Sequence, residues 1–278
     1  MDFRSDNVAS VAEEIMVAIA AANVGTAAGY GDDDISQGLN PAYSELFETK
    51  VHVFPVLTGT IANALSASVL SPPWGAIYAE ANSHIAQDEC GAPELFTGGA
   101  KLIPLEGRNG KIPPEELRRR LATSGKGFVH AAQPATFSVT QTSEAGAVYS
   151  AQEIAELSSI AKDAGLSVHM DGARFANAVA ALNAGDETVS PADLTWRAGV
   201  DVLSFGATKN GALGAEAIIL FRTDLAEEMS FRHKRAGQLA SKMRYISAQL
   251  AAYIEDGLWL RLADHANRMC AQLAEGLG

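Results

Sequence analysis

The sequence predicts an α/β fold, a mainly parallel sheet covered by helices. Three observations predict it. Short β-rich runs alternate with helical patterns over most of the length, the order that a parallel sheet with crossover helices requires. Hydrophobic residues make up 47% of the chain and charged residues 19%, which is ample for a core and rules out disorder as the main state. The 278 residues suit one large domain, or one and a half, at about 150 residues per domain.

The strand-like runs, in order, are Val51–Val56, Ala76–Ala79, Lys101–Pro104, Gly127–His130, Ser167–Met170, Val200–Phe205 and Ala217–Phe221. Helices are expected near Val8–Asn23, Thr60–Leu70, Pro114–Thr123, Ala151–Ala164 and Pro191–Arg197. Ser150-Ala151-Gln152-Glu153 has the form of a capping box, in which the serine and the glutamate satisfy each other's free backbone N–H groups. Ser190-Pro191 gives an N-cap followed by a first-turn proline. From Thr223 onward there is no strand-like run. That stretch reads as two long helices, about Lys234–Asp256 and Leu258–Leu277. The expected organisation is a large α/β domain over 1–235, then a helical segment over 236–278 that begins a small C-terminal domain.

Charge and cysteine content narrow the function. A net charge of −12, from 21 Lys+Arg against 33 Asp+Glu, argues against nucleic acid or anionic membrane as partner, since both need a basic face. The uncharged stretch from Val53 to Ala79 is broken by Pro55, Thr58, Gly59, Asn63, Pro72 and Pro73, so it is not read as a bilayer span. Asp2, Arg4 and Asp6 precede any apolar run, unlike a signal peptide. Two cysteines, Cys90 and Cys270, cannot build a disulfide framework or a four-ligand zinc site. No metal is expected, and the expected setting is a reducing cytoplasm.

In an open α/β sheet, ligands bind beyond the carboxyl ends of the strands, so the residues following each run carry the functional signal. Four stand out. Val202-Leu203-Ser204-Phe205-Gly206-Ala207-Thr208-Lys209 runs from a strand into a small-residue turn that presents one lysine. A lysine is a poor nucleophile when protonated, and becomes useful in a desolvated pocket or in a Schiff base with a cofactor aldehyde. Val168-His169-Met170-Asp171-Gly172-Ala173-Arg174 ends a strand in an aspartate suited to a cofactor's ring nitrogen, followed by an arginine suited to a carboxylate. Leu57-Thr58-Gly59-Thr60 offers backbone N–H groups and a hydroxyl for a phosphate at a helix start. Ala81-Asn82-Ser83-His84 places an imidazole after the second run. Alone, each has an ordinary reading: a solvated loop lysine, a capping aspartate with a local ion pair, a capped helix, a structural histidine. Together, and in this order, they have the arrangement of a fold-type I pyridoxal phosphate enzyme.

The motifs also support a resemblance. Phe3-Arg4-Ser5-Asp6-Asn7, Gly29-Tyr30-Gly31-Asp32-Asp33, Thr58-Gly59-Thr60, Asn82-Ser83-His84, His169–Arg174 and Ser204–Gly211 resemble the low-specificity L-threonine aldolases, including the phenylserine aldolase branch. These belong to the aromatic amino acid beta-eliminating lyase/threonine aldolase family. The resemblance implies a carbon–carbon lyase that uses pyridoxal 5'-phosphate to split L-threonine, L-allo-threonine or 3-phenylserine into glycine and an aldehyde. It implies that Lys209 forms the Schiff base, Asp171 pairs with the pyridine nitrogen, Gly59 and Thr60 hold the phosphate, and His84 stacks on the ring. Ser5 and Arg174 would bind the substrate carboxylate. Lys234 and Arg244 would reach the phosphate of a neighbouring subunit, and Tyr30 would face a neighbour's site, in a homodimer or homotetramer.

Two departures stand beside it. Where many relatives carry a second active-site histidine, this chain has Thr140-Gln141-Thr142-Ser143-Glu144, with His130 nearby. That leaves His84 or a bound water as the base for the β-hydroxyl. Relatives also continue past residue 278 into a subdomain with another substrate-facing arginine. The rival expectations are a β-eliminating lyase or an aminotransferase on the same cofactor, and a protein that binds the cofactor but turns over weakly. A nicotinamide enzyme is disfavoured, because no Gly-x-Gly-x-x-Gly follows an early strand.

Overall fold

Seven strands form one sheet in the order β1-β7-β6-β5-β4-β2-β3 in the computed structural model, which describes residues 5–185 and 188–277. They are β1 (His52–Val56), β2 (Gly75–Glu80), β3 (Lys101–Leu105), β4 (Gln133–Thr140), β5 (Ser167–Gly172), β6 (Val202–Gly206) and β7 (Glu216–Leu220). Strands β3, β2, β4, β5 and β6 are parallel neighbours. β7 runs antiparallel to both β6 and β1, so β1 points the same way as β6. Only β7 is reversed. The carboxyl ends of the other six therefore share one edge of the sheet, and the loops that leave them converge there.

The helices are α1 (Glu13–Ala22), α2 (Asp34–Leu46), α3 (Gly59–Leu70), α4 (His84–Gln87), α5 (Ala92–Thr97), α6 (Pro114–Ala122), α7 (Ala151–Asp163), α8 (Phe175–Leu182), α9 (Ala226–Arg235), α10 (Arg244–Ile254) and α11 (Leu258–Leu277). The expected capping box at Ser150 and Glu153 is present with both hydrogen bonds. Every residue of β6 and β7 is buried, as a sheet covered on both faces requires. One face packs around Phe205 of β6. Tyr43, Phe47, Phe175, Tyr253 and Trp259 approach its ring with centroids 5.6–6.1 Å away. The other face sets α3 and α9 against Val202, Ile218 and Leu220.

Several expected elements differ. Gly127–His130 is turn, and the fourth strand is Gln133–Thr140. Its alternate residues Thr136 and Ser138 are buried by hydrogen bonds to Ser71 (2.7 Å) and His169 (2.9 Å), so it has no apolar run to read. Pro191–Arg197 forms turns, with a 3₁₀ turn at Trp196–Ala198. The helix expected over Val8–Asn23 is a 3₁₀ turn at Asp6–Val8 and then α1. The long helix expected over Lys234–Asp256 is broken between α9 and α10, where Gly237 has φ +74°. The large core does not stop at residue 235. Leu250 and Tyr253 of α10 and Trp259 and Ala263 of α11 belong to it. From Arg268 onward the described residues of α11 are exposed. Among the described residues no helix is long and apolar enough to cross a membrane.

Candidate active site

Lys209 leaves β6 in a 3₁₀ turn, Thr208–Asn210. Close backbone packing sets that turn against the end of β5. A Cβ on Gly206 would lie 2.7 Å from both the carbonyl carbon and Cα of Ala173, so only glycine fits there. Three contacts pin the turn from behind. Asn210 Nδ2 donates to Tyr253 Oη (2.7 Å) and to the Trp259 carbonyl (2.8 Å), and the Ala207 N–H donates to Glu216 Oε2 (3.0 Å). Burial pushes Glu216 up to about 7, against the pull of its bonds from Thr208 and Ala207 and of the Lys209 charge.

Asp171 ends β5, 2% exposed. Its Oδ1 accepts the Ala173 N–H (3.0 Å) and its Oδ2 accepts Asn63 Nδ2 (2.8 Å). Asn63 lies one turn into α3, fully inside. His84 opens α4, and its Nδ1 lies 2.9 Å from Glu89 Oε1. That hydrogen bond raises the His84 pKa above its ordinary value, opposed by burial. The Asp171 charge adds to the rise and the Lys209 charge works against it. Histidine, aspartate and lysine thus share one electrostatic neighbourhood. Beneath Asp171, the His169 ring is held by Ser138 Oγ at Nδ1 and Ser204 Oγ at Nε2, both 2.9 Å away. Burial lowers His169 to about 4, so it is neutral at ordinary pH.

Gly59 and Thr60 form the first turn of α3, beyond the end of β1. Thr58 Oγ1 accepts the Ile61 N–H (3.3 Å), and a Cβ on Gly59 would meet nothing within 4 Å. The turn is open, with a helix N-terminus behind it. Cations gather beside it. The Leu57 N–H donates to Gln238 Oε1 (3.1 Å), and His233 lies with Nε2 2.7 Å from the Pro55 carbonyl, which fastens the basic end of α9 to β1. Lys234 Nζ sits 4.6 Å from the Tyr30 ring centroid, so two expected site residues meet. Tyr30 holds φ +58° and is half exposed. Arg244 opens α10. Its Nη2 donates to Tyr245 Oη (3.1 Å), and its Nε is buried without a partner among the described residues.

Arg174 is already engaged by a carboxylate. Its Nε and Nη2 donate to Asp6 Oδ2 (2.7 Å) and Oδ1 (3.3 Å), and Nη1 is 3.8 Å from Glu144. Ser5 is exposed beside it and donates to Asp6 Oδ1 (3.4 Å); Phe3 and Arg4 of the opening motif lie outside the described residues. Gln141 is buried, spanning the Tyr149 N–H and carbonyl. His130 lies before β4, at the opposite edge of the sheet, its ring tilted against Phe128 with centroids 4.8 Å apart. It does not stand in for a second active-site histidine.

Sequence reading missed Asn63, Glu89, Asp6, Glu144 and Glu216. A lone amide in the otherwise small and apolar helix Gly59–Leu70 was the available sign of Asn63. Asp6 stood inside a quoted motif. Glu89 and Glu216 carried no local sign. The donor set fits pyridoxal phosphate: a buried carboxylate for a protonated ring nitrogen, an amine for its aldehyde, an open helix start for its phosphate, and an imidazole in the same neighbourhood.

A family model described as beta-eliminating lyase matches residues 2–278. The chain is 42% identical, over 275 residues, to a low specificity L-threonine aldolase of a Pseudomonas species, a match covering 99% of this chain and 77% of that protein. It is 43% identical over 273 residues to the low specificity L-threonine aldolase of Pseudomonas aeruginosa, covering 98% of this chain and 77% of that one. A solved threonine aldolase from Leishmania major superposes with a TM-score of 0.90 at 28% identity, covering 98% of this chain and 78% of that one.

Proposed function

This chain belongs to the beta-eliminating lyase family, and we propose that it cleaves β-hydroxy-α-amino acids such as L-threonine, L-allo-threonine and 3-phenylserine to glycine and an aldehyde. It is a carbon–carbon lyase of fold type I that depends on pyridoxal phosphate. The observation that carries this reading is the convergence of Gly59-Thr60, His84, Asp171 and Lys209 at the carboxyl ends of β1, β2, β5 and β6.

Bound there, pyridoxal phosphate supplies a conjugated electron sink for the substrate's α-carbon. Asp171 keeps the ring nitrogen protonated. Among the described residues its own bonds come from neutral N–H donors, so its charge is left for that proton. Lys209 Nζ would hold the cofactor's aldehyde carbon and, once the Cα–Cβ bond has broken, would deliver a proton to Cα. Arg174 takes the substrate carboxylate with the fork that holds Asp6, with Ser5 beside it. Clamping the carboxylate would fix the orientation of the substrate about Cα, and so which bond breaks. His84 takes the β-hydroxyl proton at Nε2, because Nδ1 is committed to Glu89.

The protein works as a cytoplasmic homodimer or homotetramer in which Lys234, Arg244 and Tyr30 serve a neighbour's site. Exposed Tyr30, Leu57 and Phe231, on the elements around the phosphate turn, support a partner surface there. Incubation of the pure protein with pyridoxal phosphate and L-threonine should give glycine and acetaldehyde in equal amounts. A 2-oxo acid with ammonia would move the reaction to β-elimination, and amino transfer to an added 2-oxo acid would make it an aminotransferase.

A further inference from the structure

Glu89 enters the roles above only as the group that occupies His84 Nδ1, yet its side chain is fully buried at the centre of the site. Its Oε1 meets His84 Nδ1 at 2.9 Å and Asn63 Nδ2 at 2.7 Å. The same Nδ2 group donates to Asp171 Oδ2 at 2.8 Å. An amide NH₂ has two hydrogens, so Asn63 gives one to each carboxylate. The result is a chain, His84–Glu89–Asn63–Asp171, that crosses from the loop after β2 through α3 to the end of β5. Burial raises the Glu89 pKa against the pull of its bonds to His84 and Asn63, but Oε1 already accepts the Asn63 hydrogen and has no proton to give, so His84 Nδ1 carries one and the lone pair of the neutral ring sits on Nε2. Nε2 makes no hydrogen bond among the described residues. The charged groups that face His84 are Glu89, Asp171 and Lys209.

We propose that Glu89 is a positioning residue of the active site: its carboxylate fixes the His84 ring with Nδ1 protonated and Nε2 free to act and, through the shared amide of Asn63, fixes the carboxylate of Asp171. Only the identity of the proton that Nε2 receives rests on the aldol-cleavage reading.

The test is a titration of the histidine ring nitrogens by ¹⁵N NMR in the cofactor-free protein, with His84 assigned by His84→Gln. Wild type should show the Nδ1–H tautomer when neutral, and a midpoint above the ordinary value of about 6.5. Glu89→Gln keeps the shape and removes the charge. It should lower the midpoint by about one unit or more, the usual effect of losing an adjacent opposite charge. Glu89→Asp should recover part of the shift. A midpoint and tautomer unchanged by Glu89→Gln would overturn the proposal. Should that variant fail to fold, the wild type alone decides, because an Nε2–H tautomer there is incompatible with it. In the loaded enzyme, the acid limb of kcat/KM for L-threonine should move to lower pH with Glu89→Gln. An inactive wild type with the expected titration would sink the aldolase reading alone; an active enzyme whose His84 ignores Glu89 would sink this one alone.

Discussion

Gly206→Ala tests whether backbone contact between the β5 and β6 turns aligns the site. The added methyl would sit 2.7 Å from the Ala173 carbonyl carbon and Cα, where ordinary carbon contacts are about 3.5–4.0 Å. The obstacle is backbone, so no side chain can swing aside and the two turns must part. Overpacking of this kind costs about 1–3 kcal/mol. At roughly 2–4 °C per kcal/mol for a large domain, Tm should fall by roughly 2–12 °C. Asp171 lies two residues before Ala173 and Lys209 three after Gly206, so the same shift pulls apart the ring-nitrogen and aldehyde contacts. Cofactor affinity should fall with Tm. Gly59→Ala is the comparison. It has open space and sits in the first turn of a helix, so stability should hold or rise by about 0.4–1 kcal/mol. Its methyl enters the space that the phosphate needs, so affinity alone should drop. Calorimetry of the cofactor-free proteins and absorbance titration with pyridoxal phosphate read the two effects. Wild-type Tm and affinity in Gly206→Ala would refute the reasoning, as would equal destabilisation by the two alanines.

Other outcomes follow from the same geometry. Lys209→Ala should lose turnover and the cofactor's visible absorption band; a surviving band with activity would remove Lys209 from its role. Mixed oligomers of Lys209→Ala with a Lys234→Ala/Arg244→Ala double variant should recover activity that neither parent has, and confirmed mixed oligomers without recovery would refute a shared site. His169 is held near 4 in the fold, so its contribution to stability is present above about 6.5 and lost as pH falls through about 4; Glu216, raised to about 7, contributes stability that is full below about 4.5 and lost as pH rises through about 7. The two oppose each other between about 4.5 and 6.5, so Glu216→Gln should lose stability on acidification more steeply than wild type, and parallel urea midpoints across that window would refute the assignment.

The fold and family were legible where the signal is local. A strand that ends in a small-residue turn announces itself within ten residues, and the turns carrying Gly59, His84, Asp171 and Lys209 were read that way. The matches to threonine aldolases bear out the resemblance built on them. What was missed lacked a local contrast. Strand β4 buries threonine and serine on one face by pairing them with Ser71 and His169, so its alternation looked polar. Helix α2 carries Pro41 in its middle and more polar than apolar residues, and only Asp33, capping Ser36 at 2.9 Å, marks its start. Helix α8 is apolar nearly all round, which hides its period.

The acids that tune the site lie outside that kind of reading for a further reason. Asn63 and Asp171 are 108 positions apart in the chain and meet because α3 crosses the sheet over the end of β5. Glu216 and the Ala207 N–H meet because β7 is the one reversed strand, which returns its first residue to the edge where β6 ends. Glu89 reaches both His84 and Asn63 from a turn that follows the short helix α4 rather than a strand end. In each case topology creates the contact, and the burial that comes with it raises the pKa of Glu89 and of Glu216. Buried carboxylates such as Glu89 and Glu216 are costly unless they are bonded; Glu89 is bonded through Oε1, its Oε2 being buried without a partner among the described residues, and Glu216 through Oε2, each to groups that hold a catalytic side chain in place. Their placement therefore ties the stability of the fold to the alignment of His84, Asp171 and Lys209, so loosening one should be felt by the other.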